Sequence, residues 1–391
     1  MELAVLAVAL SAAIVSLILT PLIRNAALKI NFVDKPGERK IHDRNIAYGG
    51  GIAVALSLVL TLVVALPVLQ KYFSHVAPDD LTPPEFMVLG FGGLGALLIG
   101  LYDDKNKLSP YAKLAAQLVL AVGAVASGVR ITALIGDTWF MRGVTVLWIV
   151  LITNSFNLLD NMDGLCAGTV AICSGILALL AGDSGQWALA LALAALAGAA
   201  LGFLRYNSAP ASIFLGDAGS LCVGFLLACS TVLVTYFRYR NPGHPQEPSH
   251  LAVGIPILVL AIPLYDTASV ILIRLKEKRP IMRGDNSHFS HRLVDLGMTR
   301  RQAVATIHLA CLAIGLPATV LGQLSESHGF LIIGQAVLVL TIVALLERAG
   351  RIRALEHKRE RQGSAQSVAP AESISPASQP AEKHAHSERP E

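Results

Sequence analysis

VTVLWIVLITNSFNLLDNMDGLCAGTVAICSGILALLA, residues 144–181, is two apolar runs with a polar knot between them. Val144–Thr153 and Ala167–Ala181 suit hydrocarbon, whereas Asn154, Asn157, Asp160, Asn161 and Asp163 gather where that hydrocarbon would begin or end. The pattern recurs along the chain. Of its 391 residues 54% are hydrophobic and 15% charged, against roughly 25% charged in ordinary soluble domains. Leu3–Leu19, Ile52–Leu69, Phe86–Leu101, Leu114–Ser127 and Leu251–Leu264 are further apolar runs, near the ~20 residues that cross a bilayer as a helix. These features exclude a single soluble core and predict an all-α polytopic membrane protein.

About eleven transmembrane helices are expected, over 2–23, 49–70, 85–102, 111–129, 143–160, 164–182, 187–203, 217–237, 251–275, 301–322 and 329–347. The first is read as a retained span: Glu2 stands where a signal peptide would be basic, and no small-residue cleavage site precedes Arg24. With this count the loops alternate sides. Of the 31 lysines and arginines only Lys71, Arg130, Arg142, Arg238 and Arg240 fall on one side. The positive-inside rule makes the other side cytoplasmic, with the N-terminus outside and the C-terminus inside. Residues 1–347 form the membrane domain. From residue 348 a basic helical extension leads into a Ser/Ala/Pro/Glu-rich tail, 348–391 in all, too poor in apolar residues to fold. The five cysteines all lie in apolar stretches without a C-x-x-C pair and read as small buried hydrophobes.

Every unusual polar cluster falls on the basic side. YDDKNKLSPYAK holds Asp103 and Asp104, YNSAPASIFLGDAGS holds Asp217, LYDT holds Asp266, and GDNSHFSHRL holds His288, His291 and Arg292. Ionisable groups at membrane depth are costly and tend to face a wet cavity or the bundle interior. Two adjacent carboxylates repel unless a cation or basic partner is near, so a divalent cation is expected. Mg²⁺ is the first choice, because it takes one or two protein carboxylates and completes its octahedron with water and phosphate oxygens. Spacings of three and four residues predict Asn157, Asp160 and Asn161 on one helical side. Gly49–Gly51 suggest a close backbone approach.

YDDKNKLSPYAKLAAQ, NSFNLLDNMDGL, FLGDAGSL and SHFSHRL, in this order and on one side, resemble the polyprenyl-phosphate N-acetylhexosamine-1-phosphate transferases, over about residues 1–347. The first loop, DKPGERKIHDRNIAYGGG, is similar to the branch that loads GlcNAc-1-phosphate onto undecaprenyl phosphate for O-antigen, common antigen or teichoic acid. The histidine run of the MurNAc-pentapeptide branch of peptidoglycan synthesis, the alternative reading, is absent. Two departures stand out: Ser290 where the family usually has a histidine, and Ala47-Tyr48 where a proline is usual.

The resemblance implies a UDP-sugar donor, an undecaprenyl phosphate acceptor, release of UMP, and an inner-membrane enzyme with its active site facing the cytoplasm. It implies Mg²⁺, with Mn²⁺ as a substitute, ligated by Asp217 and Asn157. Asp103 and Asp104 would orient or deprotonate the lipid phosphate, and Asp160 and Asp163 would line the nucleotide site. His288, His291 and Arg292 would hold the diphosphate, with Lys113, Asn154, Arg39 and His42 as further substrate contacts. A homodimer is compatible with it; nucleic acid is not a partner. The competing class is a cation- or proton-coupled transporter. Such proteins place their acids near the midplane in repeated halves, whereas here the acids collect at one interface and no halves repeat.

Overall fold

The computed structural model describes residues 1–35, 45–72, 87–131, 136–240, 253–282 and 287–367. In lipid every backbone polar group must be satisfied within its own segment, which leaves helices as the solution for apolar runs of this length. The described residues contain eight helices long and apolar enough to cross a membrane, and Pro110–Ala126 is a shorter apolar helix. In chain order the elements are α1 (Glu2–Lys29), β1 (Val33–Asp34), β2 (Ile46–Ala47), α2 (Gly50–Tyr72), a π turn (Val88–Gly92) leading into α3 (Gly93–Asn106), α4 (Pro110–Ala126), α5 (Trp139–Leu159), α6 (Leu165–Asp183), α7 (Trp187–Asn207) and α8 (Gly216–Arg240). They continue with α9 (Gly254–Val259), α10 (Ala261–Lys276), α11 (Phe289–Asp295), α12 (Arg300–Gly315), α13 (Ala318–Leu321) and α14 (Glu326–Ser367).

Local sequence sets several ends. Ser109 accepts from Ala112 N, with Pro110 in the first turn of α4, where its missing N–H costs nothing. Thr138 caps α5 by accepting from Met141 N, and Thr299 with Gln302 forms a capping box on α12. Two expected spans are interrupted at proline. Pro263 has no N–H for the Val259 carbonyl four residues back; the chain breaks at Leu260, and Cys173 Sγ donates to that carbonyl at 3.2 Å. Pro317 likewise leaves the Ala313 carbonyl free, and Gln335 Nε2 donates to it at 3.4 Å.

Hydrophobicity is similar among the long helices, yet their positions differ. The apolar window of α8 is 100% buried inside the protein, and α6 and α7 reach 78%, whereas α1 and α14 show 22% and 11%. Helices α6, α7 and α8 are therefore the centre, and α1 and α14 present large apolar side chains outward. The five cysteines are buried, as expected of small hydrophobes. One addition to the all-α expectation is small: β1 and β2 pair antiparallel, with Val33 opposite Ala47 and Asp34 opposite Ile46, and β2 bridges Ile213 just before α8.

Candidate active site

The close approach suggested by Gly49–Gly51 is present. Gly50 N and Gly51 N donate to the Phe214 and Leu215 carbonyls at 3.0 Å each. A Cβ on Gly51 would stand 2.3 Å from Gly219 N, so only glycine lets α2 meet α8 there. That contact fixes the start of α8. Gly216 precedes it at φ +75°, which glycine adopts freely, and a Cβ at that position would meet Asp104 Oδ2 at 2.7 Å.

Asp104, at the end of α3, accepts from Asp217 N at 2.8 Å and from Ala218 N at 3.1 Å. It caps a helix more than a hundred residues away, placing a carboxylate where the helix dipole favours it. Its neighbour Asp103 is buried, accepts from Leu108 N at 2.5 Å, and pairs with Lys113 Nζ. Lys113 also reaches Asp217 Oδ2 at 2.8 Å and so bridges the two acids. Asn157 Nδ2 donates to Asp217 Oδ1 at 2.5 Å and to Ser220 Oγ at 2.9 Å.

Helix α5 ends at Leu159. The expected helical side of Asn157, Asp160 and Asn161 is therefore a helix residue followed by a turn; Leu165 begins α6 after the left-handed Gly164. The turn is held from beside it: Asp163 Oδ2 accepts from Ala211 N at 2.9 Å, and Asn207 Oδ1 accepts from Gly164 N at 3.1 Å. Burial, then the charges of Asp217 and Asp104, push the Asp160 carboxyl up to about 8.

These elements line an open cavity of about 880 Å³. Asp103, Asp104, Asp160, Asp163, Asp217 and His291 line it, as do Asn161, Asp34 and Tyr48. Tyr48 donates its hydroxyl to Asp34 at 3.0 Å. Lys107 and Arg300 also line the wall; as loop lysine and helix-start arginine they read in the sequence only as topology charges. Burial first, then the charges of His288 and Arg300, lowers the His291 pKa.

The remaining expected site residues lie elsewhere. Asn154 is not at the cavity; it pairs its amide with Gln117, fastening α5 to α4. His288 Nδ1 is 2.9 Å from Asp266 Oδ2, and Asp266 Oδ1 accepts from Phe289 N at 2.6 Å, all buried. Arg292 is turned toward Glu347 on α14, with Nε 3.0 Å from Oε2. His288 and Arg292 thus do not face the cavity, because buried Asp266 and Glu347 claim them: a buried carboxylate without a partner is too costly. Asp266 is thus the partner of His288 and of the Phe289 N–H. Arg39 and His42 lie outside the described residues.

The donor set fits a divalent cation in part. Among the described residues no group of three or more His, Cys, Asp or Glu side chains forms a ready ligand cluster. Mg²⁺ does not require one, since it takes one or two protein carboxylates. Six carboxylates, Asp34 among them, line one cavity; Lys113 bridges two of them, Asp103 and Asp217, and burial first, then the charges of Asp217 and Asp104, raises the Asp160 carboxyl. Asp217 beside Asn157 fits, provided the amide oxygen rather than Nδ2 is turned inward, an assignment that a 180° flip exchanges.

Residues 86–235 match the family model described as glycosyl transferase family 4. The match includes Asp103 through Asp217 and leaves out the 287–292 segment. A probable undecaprenyl-phosphate N-acetylglucosaminyl 1-phosphate transferase of Bacillus subtilis (strain 168) is 32% identical over 337 residues, spanning 84% of this chain and 88% of that protein. A decaprenyl-phosphate N-acetylglucosaminephosphotransferase of Mycolicibacterium smegmatis is 30% identical over 368 residues, 87% and 88% of the two chains. A phospho-N-acetylmuramoyl-pentapeptide-transferase of Bacillus subtilis is 34% identical, but over 203 residues, which is 47% of this chain and 60% of that one.

Proposed function

The chain belongs to glycosyl transferase family 4, the polyprenyl-phosphate N-acetylhexosamine-1-phosphate transferases, and from that premise we propose that it moves GlcNAc-1-phosphate from UDP-GlcNAc to undecaprenyl phosphate and releases UMP. This would be the first membrane step of a cell-surface polysaccharide. The observation that carries the reading is the cavity itself, where a carboxylate wall fixed by α3, α5 and α8 stands with Lys107, His291 and Arg300 on its lining. Both reactants carry phosphate, and phosphoryl transfer needs positioning and charge neutralisation more than covalent help.

In the proposed reaction an oxygen of the lipid phosphate attacks the β-phosphorus of the donor, and the bond to the UMP oxygen breaks. Asp217 and Asn157 would hold Mg²⁺, which supplies charge neutralisation at the transferring phosphoryl group. Lys113 keeps Asp103 and Asp217 at a fixed separation. Asp103, beside Lys113, and Asp104, at the α8 N-terminus, both line the cavity and would orient the acceptor phosphate. Asp160 and Asp163 present the nucleotide wall, and His291 would donate to the diphosphate. UMP release by the purified enzyme, measured with a panel of UDP-HexNAc donors and dependent on undecaprenyl phosphate, tests the reaction and the sugar together. Fastest release with another HexNAc would overturn UDP-GlcNAc, and no lipid dependence would overturn the reaction.

The proposed topology has about eleven crossings, with α9–α10 and the π turn plus α3 each counted as one. The N-terminus is outside, the cavity faces the cytoplasm, and the protein lies in the inner membrane. Its support is the basic bias of the loops on the cavity side. In a cysteine-free background, Lys105→Cys should react with an impermeant thiol reagent only after permeabilisation, and Ser325→Cys should react without it. The reverse pattern sinks the orientation.

A further inference from the structure

Arg292 sits where three helices meet. Its guanidinium donates to the Ser287 carbonyl, to Ser269 Oγ on α10 at 2.8 Å, and to Glu347 Oε1 on α14 at 3.2 Å. Tyr265 donates its hydroxyl to the same carboxylate at 3.1 Å. The side chains of Arg292 and Glu347 are 11% and 10% exposed, although α14 otherwise faces outward. The short helix that Arg292 belongs to, α11, also carries Ser290, whose hydroxyl donates to Asn161 Oδ1 at 2.6 Å, and His291, which lines the cavity. Glu347 is thus connected through one helix to the turn that holds Asp160 and Asp163.

We propose that Glu347 is a positioning residue for donor binding: by fixing Arg292 it sets the rotation of α11, and through it the placement of His291 and of the Asn161 turn at the cavity wall. Net stability is a poor reason for such a pair, because desolvating two charges offsets most of their attraction, and apolar side chains of similar volume often serve as well. Geometry is the better reason. The planar guanidinium fork accepts its partners in one orientation, whereas apolar packing would hold α11 against α14 without fixing its rotation. Successive helical residues differ by about 100° around the axis, so a modest rotation would take His291 off the cavity and Ser290 off Asn161 together. The serine at position 290 suits this role, since a short buried hydroxyl reaches Asn161 directly.

The kinetic part of the test rests on the reaction proposed above; the second part does not. In the full-length enzyme, Glu347→Gln keeps the volume and removes the charge. The KM for UDP-GlcNAc should rise about tenfold while kcat changes much less, the signature of lost uniform binding. In a His291→Ala background the same substitution should add little to KM, because both act at one place. Hydrogen exchange should accelerate in residues 287–295 and also in 160–164. If Glu347→Gln fails to accumulate, Glu347→Asp serves, with the same two readouts. An unchanged KM, additivity with His291→Ala, or a lowered melting temperature with normal exchange at 160–164 would overturn the proposal. If the wild-type enzyme released no UMP from any UDP-HexNAc, the reaction would be wrong. Exchange at 160–164 would then decide alone: acceleration there supports positioning, and acceleration confined to α14 overturns it.

Discussion

Asp217→Asn should abolish most of the turnover while leaving the protein folded. The substitution keeps the shape of the side chain and one acceptor oxygen, so Asn157 retains a partner, and the backbone N–H that Asp104 caps is untouched. What disappears is the negative charge that meets Lys113 at 2.8 Å and that a divalent cation would require. Loss of one preorganised electrostatic group costs about 10²–10³ in rate, and a metal ligand should cost at least that. The measurement is UMP release at equal amounts of purified enzyme. Retention of even a third of the wild-type rate would remove Asp217 from the metal site. Asp266→Asn is the control: Asp266 is buried against His288 and the Phe289 N–H, away from the cavity. Its substitution should reduce the yield of folded protein far more than the turnover of what survives.

Lys113→Met should damage stability and turnover together, and Mg²⁺ should separate the two. Lys113 is the cation between Asp103 and Asp217, and Asp103 is 6% exposed. Removing one partner of a buried pair leaves an uncompensated charge and typically costs about 3–5 kcal/mol, read here as a lower melting temperature in detergent without divalent ions. Two carboxylates freed of their lysine should take up a divalent cation more readily. A ligand at 100 times its Kd restores about 2.7 kcal/mol, so millimolar Mg²⁺ should recover much of the melting temperature. Turnover should stay low, because the cation then sits where the ammonium did and the separation of the two acids is lost. A variant with wild-type melting behaviour and wild-type turnover would show that Lys113 is not their counter-charge.

The cavity wall was largely legible in the sequence, and for a physical reason. Asp103, Asp104, Asp160, Asp163 and Asp217 are acids at the ends of apolar runs, where a charge is too costly to be incidental, and all five line one cavity. The cost identifies such residues without naming their partners. The same reasoning drew His288 and Arg292 toward the diphosphate, when each has a buried carboxylate of its own. Glu347 ends an apolar run just as the five acids do, and that position was the signal that could have found it. Lys107 and Arg300 were hidden by the basic loops around them, since the positive-inside bias explains any single lysine or arginine there.

By itself the sequence determined a mostly helical membrane protein, the end of the bundle at which the acids collect, and, through four motifs in order, the family. Those properties are local: an apolar run of about 20 residues must be a helix in hydrocarbon whatever lies beside it. Only the tertiary structure decided that α8 is central and α14 peripheral, that Asp104 caps a helix 113 residues away, and that Lys113 spans Asp103 and Asp217. In water a buried face is apolar and an exposed face polar, so periodicity reports position. In a bilayer lipid is as apolar as the protein core, both faces of a helix look alike, and the neighbour of each polar group is set by helix packing alone.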